Sequence, residues 1–154
     1  MIYYFQKKGD AMDYQYNDGG RAEAGYKGET RDCVVRAIAI ATEKPYQEVY
    51  DTINMLSSKE KTSTHKKSKS NARTGVYRFT SGNYLKSLGW KWTPTMFIGQ
   101  GCKVHLKPSE LPAGRLVVKV SRHMVTVING IINDIHDPSR NETRCVYGYW
   151  SKTI

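Results

Sequence analysis

Apolar and polar positions along this chain follow two different periods, and the change from one to the other falls at Trp90. The most strongly patterned stretch is residues 28–42, Gly-Glu-Thr-Arg-Asp-Cys-Val-Val-Arg-Ala-Ile-Ala-Ile-Ala-Thr. Ala37, Ile40 and Ala41 recur at helical spacing while Val34, Val35, Ile38 and Ala39 fill the other sides, so little but Arg36 interrupts an apolar surface. Such a helix is buried almost all round. Thr30 or Asp32 can cap its start, because each offers a side-chain oxygen to the free N–H groups of the first turn. Cys33 then sits in that first turn. Glu43-Lys44-Pro45 breaks the pattern and restarts it with proline at the first position of a second helix. Tyr46, Val49, Tyr50, Ile53 and Met55 or Leu56 give that helix one apolar stripe. A third helix is expected from a Thr80 or Ser81 cap through Tyr84, Leu85 and Leu88, closed by Gly89.

Downstream the period is that of strands. Trp90, Trp92 and Thr93, then residues 96–98 and 104–106, read as short strands, and 108–112 as one helical turn or a loop. Residues 115–121, 123–128, 131–137 and 144–150 have strong strand character, and Asn129-Gly130 between two β-branched runs is a hairpin signal. Upstream, Met12, Tyr14 and Tyr16 alternate as a short strand before the Asp18-Gly19-Gly20 turn. Helices first and an antiparallel sheet second predict an α+β fold. The 154 residues fit a single domain, 1–154, with no internal repeat.

Charge adds a second feature. The formal net charge is +10, which makes the surface attractive to nucleic acid or acidic proteins. Much of it is local: Lys59, Lys61, Lys66, Lys67, Lys69 and Arg73 face Glu60 alone in a serine-rich stretch, read as a flexible basic loop at about 58–74. No run approaches the roughly 20 apolar residues of a membrane span, so no membrane partner is expected. Three cysteines cannot all pair, and the first eight residues place aromatics before two lysines, the wrong order for secretion. Free thiols and a cytoplasmic location follow as expectations.

Cys33 is the first candidate for chemistry. A thiol at the start of a buried helix feels the positive end of the macrodipole, which favours thiolate; the plainer reading is a small buried hydrophobe. A cysteine nucleophile needs a base and a group that orients the base. If Asn129-Gly130 is a two-residue turn, Ile128 faces Ile131, His123 faces His136, and Asp134 lies diagonally across the ladder from His123. A three-residue loop would bring Asp137 to that face instead. Both aspartates stay candidates, with the two-residue geometry favouring Asp134. His65, His105, His123 and His136 show no paired spacing with the cysteines of the kind zinc sites use. There is no phosphate-loop or dinucleotide glycine pattern either, so neither metal nor cofactor is expected.

A cysteine opening a buried helix, a long interval, then a histidine starting a strand that hairpins into Asp-x-x-Asp-Pro resembles the papain-like and transglutaminase-like cysteine hydrolases. The matching residues are Asp32-Cys33, Arg122-His123 and Asp137-Pro138. Residues 32–37 and 144–150 also resemble small proteins of tailed bacteriophages and bacterial mobile elements. The resemblance implies a papain-like α+β fold with Cys33 as nucleophile, His123 as base, and Asp137 or Asp134 as the orienting acid. The chain departs from the family pattern ahead of the cysteine, where residues 25–28 hold no glutamine; Gln15 and Asn17 are the nearest oxyanion candidates, beside backbone N–H groups at the helix start. The function implied is a cysteine peptidase, deamidase or amidase acting on a protein or peptide substrate, in a bacterial host cell if the protein belongs to a phage. The rival expectation is a non-catalytic basic protein that binds nucleic acid or an acidic protein through residues 59–73.

Overall fold

The computed structural model describes residues 13–66 and 68–152. Among the described residues three helices, α1 (Cys33–Thr42), α2 (Tyr46–Ser58) and α3 (Arg78–Ser87), accompany six strands: β1 (Tyr14–Tyr16), β2 (Lys91–Pro94), β3 (Arg115–Val120), β4 (His123–Ile128), β5 (Ile131–Asp134) and β6 (Val146–Ser151). The strands form one sheet in the order β1-β5-β4-β3-β6-β2. Every pairing is antiparallel except β1 against β5. The class is α+β, as the change of period predicts. Among the described residues no helix is long and apolar enough to cross a membrane.

The continuous apolar surface of α1 has the consequence its pattern implies: all residues from Val34 to Ala41 are buried. The helix lies against β4, where the Thr126 hydroxyl donates to the Ala37 carbonyl over 2.6 Å. On this side of the sheet Val35, Ile38, Val49, Ile53 and Leu85 pack with Val117, Met124 and Trp150. The opposite side holds a second cluster, in which Leu106 and Leu111, flanking a 3-10 turn at Pro108–Glu110, cover Val118, Val120, Val125, Val127 and Ile132. The alternation within each strand thus feeds two cores at once.

The β4–β5 hairpin has the two-residue turn. Asn129 and Gly130 both have left-handed backbones (φ 48° and 80°), as a type I′ turn requires, and Ile128 pairs with Ile131. Boundaries differ elsewhere. Helix α3 begins at Arg78, two residues ahead of the expected cap, and Thr80 and Ser81 are buried inside it. The Thr80 hydroxyl donates to Glu60 instead of capping. Residues 96–98 are not strand, and His105 makes only an isolated bridge to Cys145. Met12 lies outside the described residues. One cysteine expectation is corrected: Cys102 and Cys145 are joined by a disulfide, leaving Cys33 free. An odd count leaves room for one pair, and a separation of 43 residues carries no local signal of it.

The basic segment returns to the body through a buried carboxylate. Glu60 accepts from the Ser70 amide and hydroxyl, both over 2.6 Å, and Ala72, fully buried, donates its N–H to Asn54 Oδ1. Lys59, Lys61, Lys66 and Lys69 are exposed and Arg73 is half-buried, while Lys67 lies outside the described residues.

Candidate functional site

Cys33 is the first residue of α1 and His123 the first of β4, and packing of helix on strand brings the two ends together. Asp134, the last residue of β5, completes the group, with His123 Nε2 and Asp134 Oδ2 2.6 Å apart. His136 stands beside them, its ring 5.2 Å from that of His123. Asp137 is not brought to the imidazole. Its carboxylate accepts the Ser139 N–H over 2.9 Å, closing the turn after β5. The two-residue hairpin is the reason, because its register sets Asp134 and not Asp137 diagonally across the ladder from His123.

Electrostatics bind these groups to one another. Burial alone would push the Cys33 thiol up, yet the neighbouring His123, the Met124 backbone N–H and the Arg36 charge outweigh it, and its pKa is lowered. Burial likewise disfavours the imidazolium of His123, but Asp134 and Cys33 on its two sides raise it to about 9. Asp134 is held below the ordinary carboxylate range: against burial stand His123, the Ile135 N–H and Arg36. His136 moves the other way, lowered first by burial and, against the raising charge of Asp134, by the neighbouring cations His123, Arg36 and Arg144.

Arg36 is the functional residue that apolar periodicity passes over. It is 4% exposed, and its guanidinium pairs with Asp32 at one end and lies 3.4 Å from Asp134 Oδ1 at the other. Asp32, fully buried, occupies the N-cap position without a side-chain capping bond. It accepts instead from Arg36 and from the Tyr46 hydroxyl, the latter over 2.5 Å, with Arg21 Nε 3.4 Å away. Burial and that carboxylate push the Tyr46 phenol upward. A buried arginine must be paired, and the Asp32–Arg36 spacing of one helical turn in an apolar stretch is the signal that could have located the pair.

Gln15 and Asn17 are not delivered to the thiol. β1 adds to the far side of β5, where Asn17 Nδ2 donates to Asn133 Oδ1 over 3.3 Å. Both residues line a separate hollow with Ala39, Ile40 and Asn129. Both therefore drop out as oxyanion donors to an acyl group on Cys33. The Asp32 side chain makes no capping bond, so it does not occupy the N–H groups of the first turn of α1. The cleft over Cys33 has a volume of about 600 Å³ and includes Arg31, Lys119, Arg122 and His136 in its walls.

Among the described residues two groups of side chains have the composition of metal sites. His123, Asp134 and His136 form one, and Cys102, His105 and Cys145 the other, each with ligand atoms within 4.8 Å of one another. In the second, His105 Nδ1 lies 3.1 Å from Glu110 Oε2, and Cys102-x-x-His105 is a paired spacing after all, contrary to expectation. The disulfide occupies both sulfurs. Comparison with protein-family models, curated proteins and solved structures finds no match for the chain.

Proposed function

We propose that the protein is a cysteine hydrolase of papain-like design that cleaves an amide bond, with Cys33 as nucleophile, His123 as general acid and base, and Asp134 as the group that orients His123. The observation that carries this reading is the free thiol at the first turn of α1, its pKa lowered despite burial by a histidine whose Nε2 is 2.6 Å from a buried carboxylate. With Nε2 held by Asp134, Nδ1 is the ring nitrogen left to serve the thiol. In this mechanism the Cys33 thiolate adds to the carbonyl carbon, and the carbonyl π electrons move to oxygen, which the N–H groups opening α1 stabilise. As the C–N bond breaks, imidazolium gives its proton to the departing amine, leaving a thioester. Water then adds as His123 takes its proton, and the C–S bond breaks to release the acid and restore the thiolate. Arg36 supports the reaction through Asp134, as a positioning residue.

The test is the rate of iodoacetamide labelling at Cys33 against pH, followed by mass spectrometry in the parent, His123→Ala and Asp134→Asn. The parent should show an apparent pKa below the roughly 8.5 of a free thiol, and His123→Ala should lose that advantage, labelling about tenfold more slowly at pH 7. Asp134→Asn should fall between them. A Cys33 that stays inert, or responds to neither substitution, rules the reading out.

A second reading, a basic protein that binds nucleic acid, draws on one further observation. Lys66 Nζ lies 4.8 Å and 4.7 Å from the ring centres of Tyr77 and Phe79, and Arg78 lies 5.0 Å from that of Trp92. These groups, with Trp150, line a hollow of about 470 Å³, bringing aromatics to a basic loop that has none of its own. Affinity for a single-stranded oligonucleotide that falls steeply with salt, and falls again on Phe79→Ala, would favour this reading.

A further inference from the structure

The walls of the Cys33 cleft carry Arg31, Arg36, Lys119 and Arg122 and no acidic side chain. Arg36 is committed to Asp32 and Asp134, but the other three have no carboxylate partner among the described ion pairs. Arg31 and Arg122 are exposed and Lys119 half-buried. Arg122 is held in a left-handed conformation (φ 55°) at the tight β3–β4 turn, immediately before the histidine. Lys119 Nζ donates to the His123 carbonyl over 3.4 Å, so its ammonium is fixed beside the site. Its neighbours among the charged groups are the Cys33 sulfur, Arg78 and Arg144, two of the three being cations. Burial is the first cause that lowers Lys119, and the Arg78 and Arg144 charges add to it. An anion seated beside Lys119, Arg31 and Arg122 would be attracted by all three.

The cleft does not end at the thiol. Thr30, Arg31, Arg36, Thr74 and Ile135 are walls shared with a second hollow of about 760 Å³, which adds Arg21 and Arg73. Its two carboxylates are Asp18, already accepting the Gly20 and Ala22 N–H groups, and Glu29 at the exposed rim. The two hollows together offer an elongated surface from Cys33 past Arg31, with cationic side chains along it.

We infer that the substrate is an acidic peptide, bound with carboxylate side chains on both sides of the scissile amide, one group meeting Lys119 and Arg122 and the next meeting Arg31. This rests on the reading of Cys33 as a nucleophile. It assigns Arg31, Lys119 and Arg122 as the specificity-determining residues of that site.

The smallest probe of the idea is a pair of alkylating reagents that differ in charge. Iodoacetate and iodoacetamide modify the same sulfur, one as an anion and one neutral, and the ratio of their rates at Cys33 can be set against the ratio for N-acetylcysteine amide in the same buffer. The expected ratio at Cys33 exceeds that of the free thiol by about tenfold at low ionic strength and shrinks as salt is added. Arg31→Gln with Arg122→Gln should return it most of the way to the free-thiol value, and Lys119→Gln should do the same in part. If Cys33 reacts readily with both reagents but at the free-thiol ratio, the acidic-peptide assignment is overturned while the nucleophile stands. If it reacts with neither, the nucleophile reading fails and takes this inference with it.

Discussion

At the scale of single residues, the buried charges among the described residues, Glu60 apart, form one chain of contacts. It runs from Arg21 and Tyr46 through Asp32 and Arg36 to Asp134 and His123. The charges on Cys33 and His123 affect stability in opposite directions, and the signs can be worked out. His123 is raised from 6.5 to about 9, so its contribution is full below 6.5 and is lost as pH climbs through about 9. Cys33 is lowered from 9.0, so its contribution is full above 9.0 and is lost as pH falls through its folded value. In the parent the two slopes oppose one another, because forming thiolate and imidazolium together changes no net proton count. Cys33→Ala removes one slope and leaves the His123–Asp134 pair alone. Its stability, read from urea midpoints at a series of pH values, should fall as pH rises above 6.5, while the parent stays flatter. Parallel curves would show that thiol and imidazole are not coupled. The His123–Asp134 pair was legible in the sequence because the Asn129-Gly130 turn fixes register and register fixes neighbours. The approach of Cys33 was not legible, since it depends on packing between segments 90 residues apart in number, for which no local pattern exists.

At the scale of elements, that approach is set by how α1 sits on β4. Thr126 is fully buried and its hydroxyl donates to the Ala37 carbonyl, one helical turn beyond Cys33. Since Thr126 and His123 share a strand as Ala37 and Cys33 share a helix, this bond fixes the register of helix on strand close to the candidate site. Thr126→Val keeps the shape and removes the donor. It should lower stability by about 1 kcal/mol and slow Cys33 labelling by iodoacetamide several-fold, with little change in circular dichroism. A variant that loses stability but keeps the labelling rate would mean that apolar packing alone sets the register. The elements themselves are readable where periodicity is long and unopposed: α1, the α2 stripe, strands β3 and β4, and the first four residues of the 131–137 stretch, where the strand ends at Asp134. They were misread where a polar residue has a tertiary partner. Thr80 and Ser81 look like helix caps, yet they are interior residues of α3, and Glu60 supplies the acceptor that makes a buried Thr80 tolerable. The parallel addition of β1 to β5 left no mark either, because backbone ladder bonds in a three-residue strand leave side-chain type almost free.

At the scale of the whole molecule, the Cys102–Cys145 bond ties the segment after β2 to the start of β6 across 43 residues that include β3, β4 and β5. Its loop thus encloses the hairpin that carries His123 and Asp134. Closing a loop of that length removes conformational freedom chiefly from the unfolded chain, a contribution on the order of 2–4 kcal/mol. The opposite-face core of Leu106, Leu111, Val118, Val120 and Val146 lies within or beside the same loop and is buried without help from the sulfurs, so the bond should add stability to a fold that forms regardless. Three measurements separate these roles. Cys145→Ser and a phosphine-reduced parent should both unfold several degrees below the oxidised parent in calorimetry, and the two should match each other. Both should retain the oxidised parent's circular dichroism and the low apparent pKa of Cys33, because the groups that lower it come from α1 and β4 rather than from the disulfide corner. An unchanged melting temperature would mean that the thiols are unpaired in solution. A melting temperature that falls together with a Cys33 pKa restored to the free-thiol value would instead make the disulfide part of what positions His123.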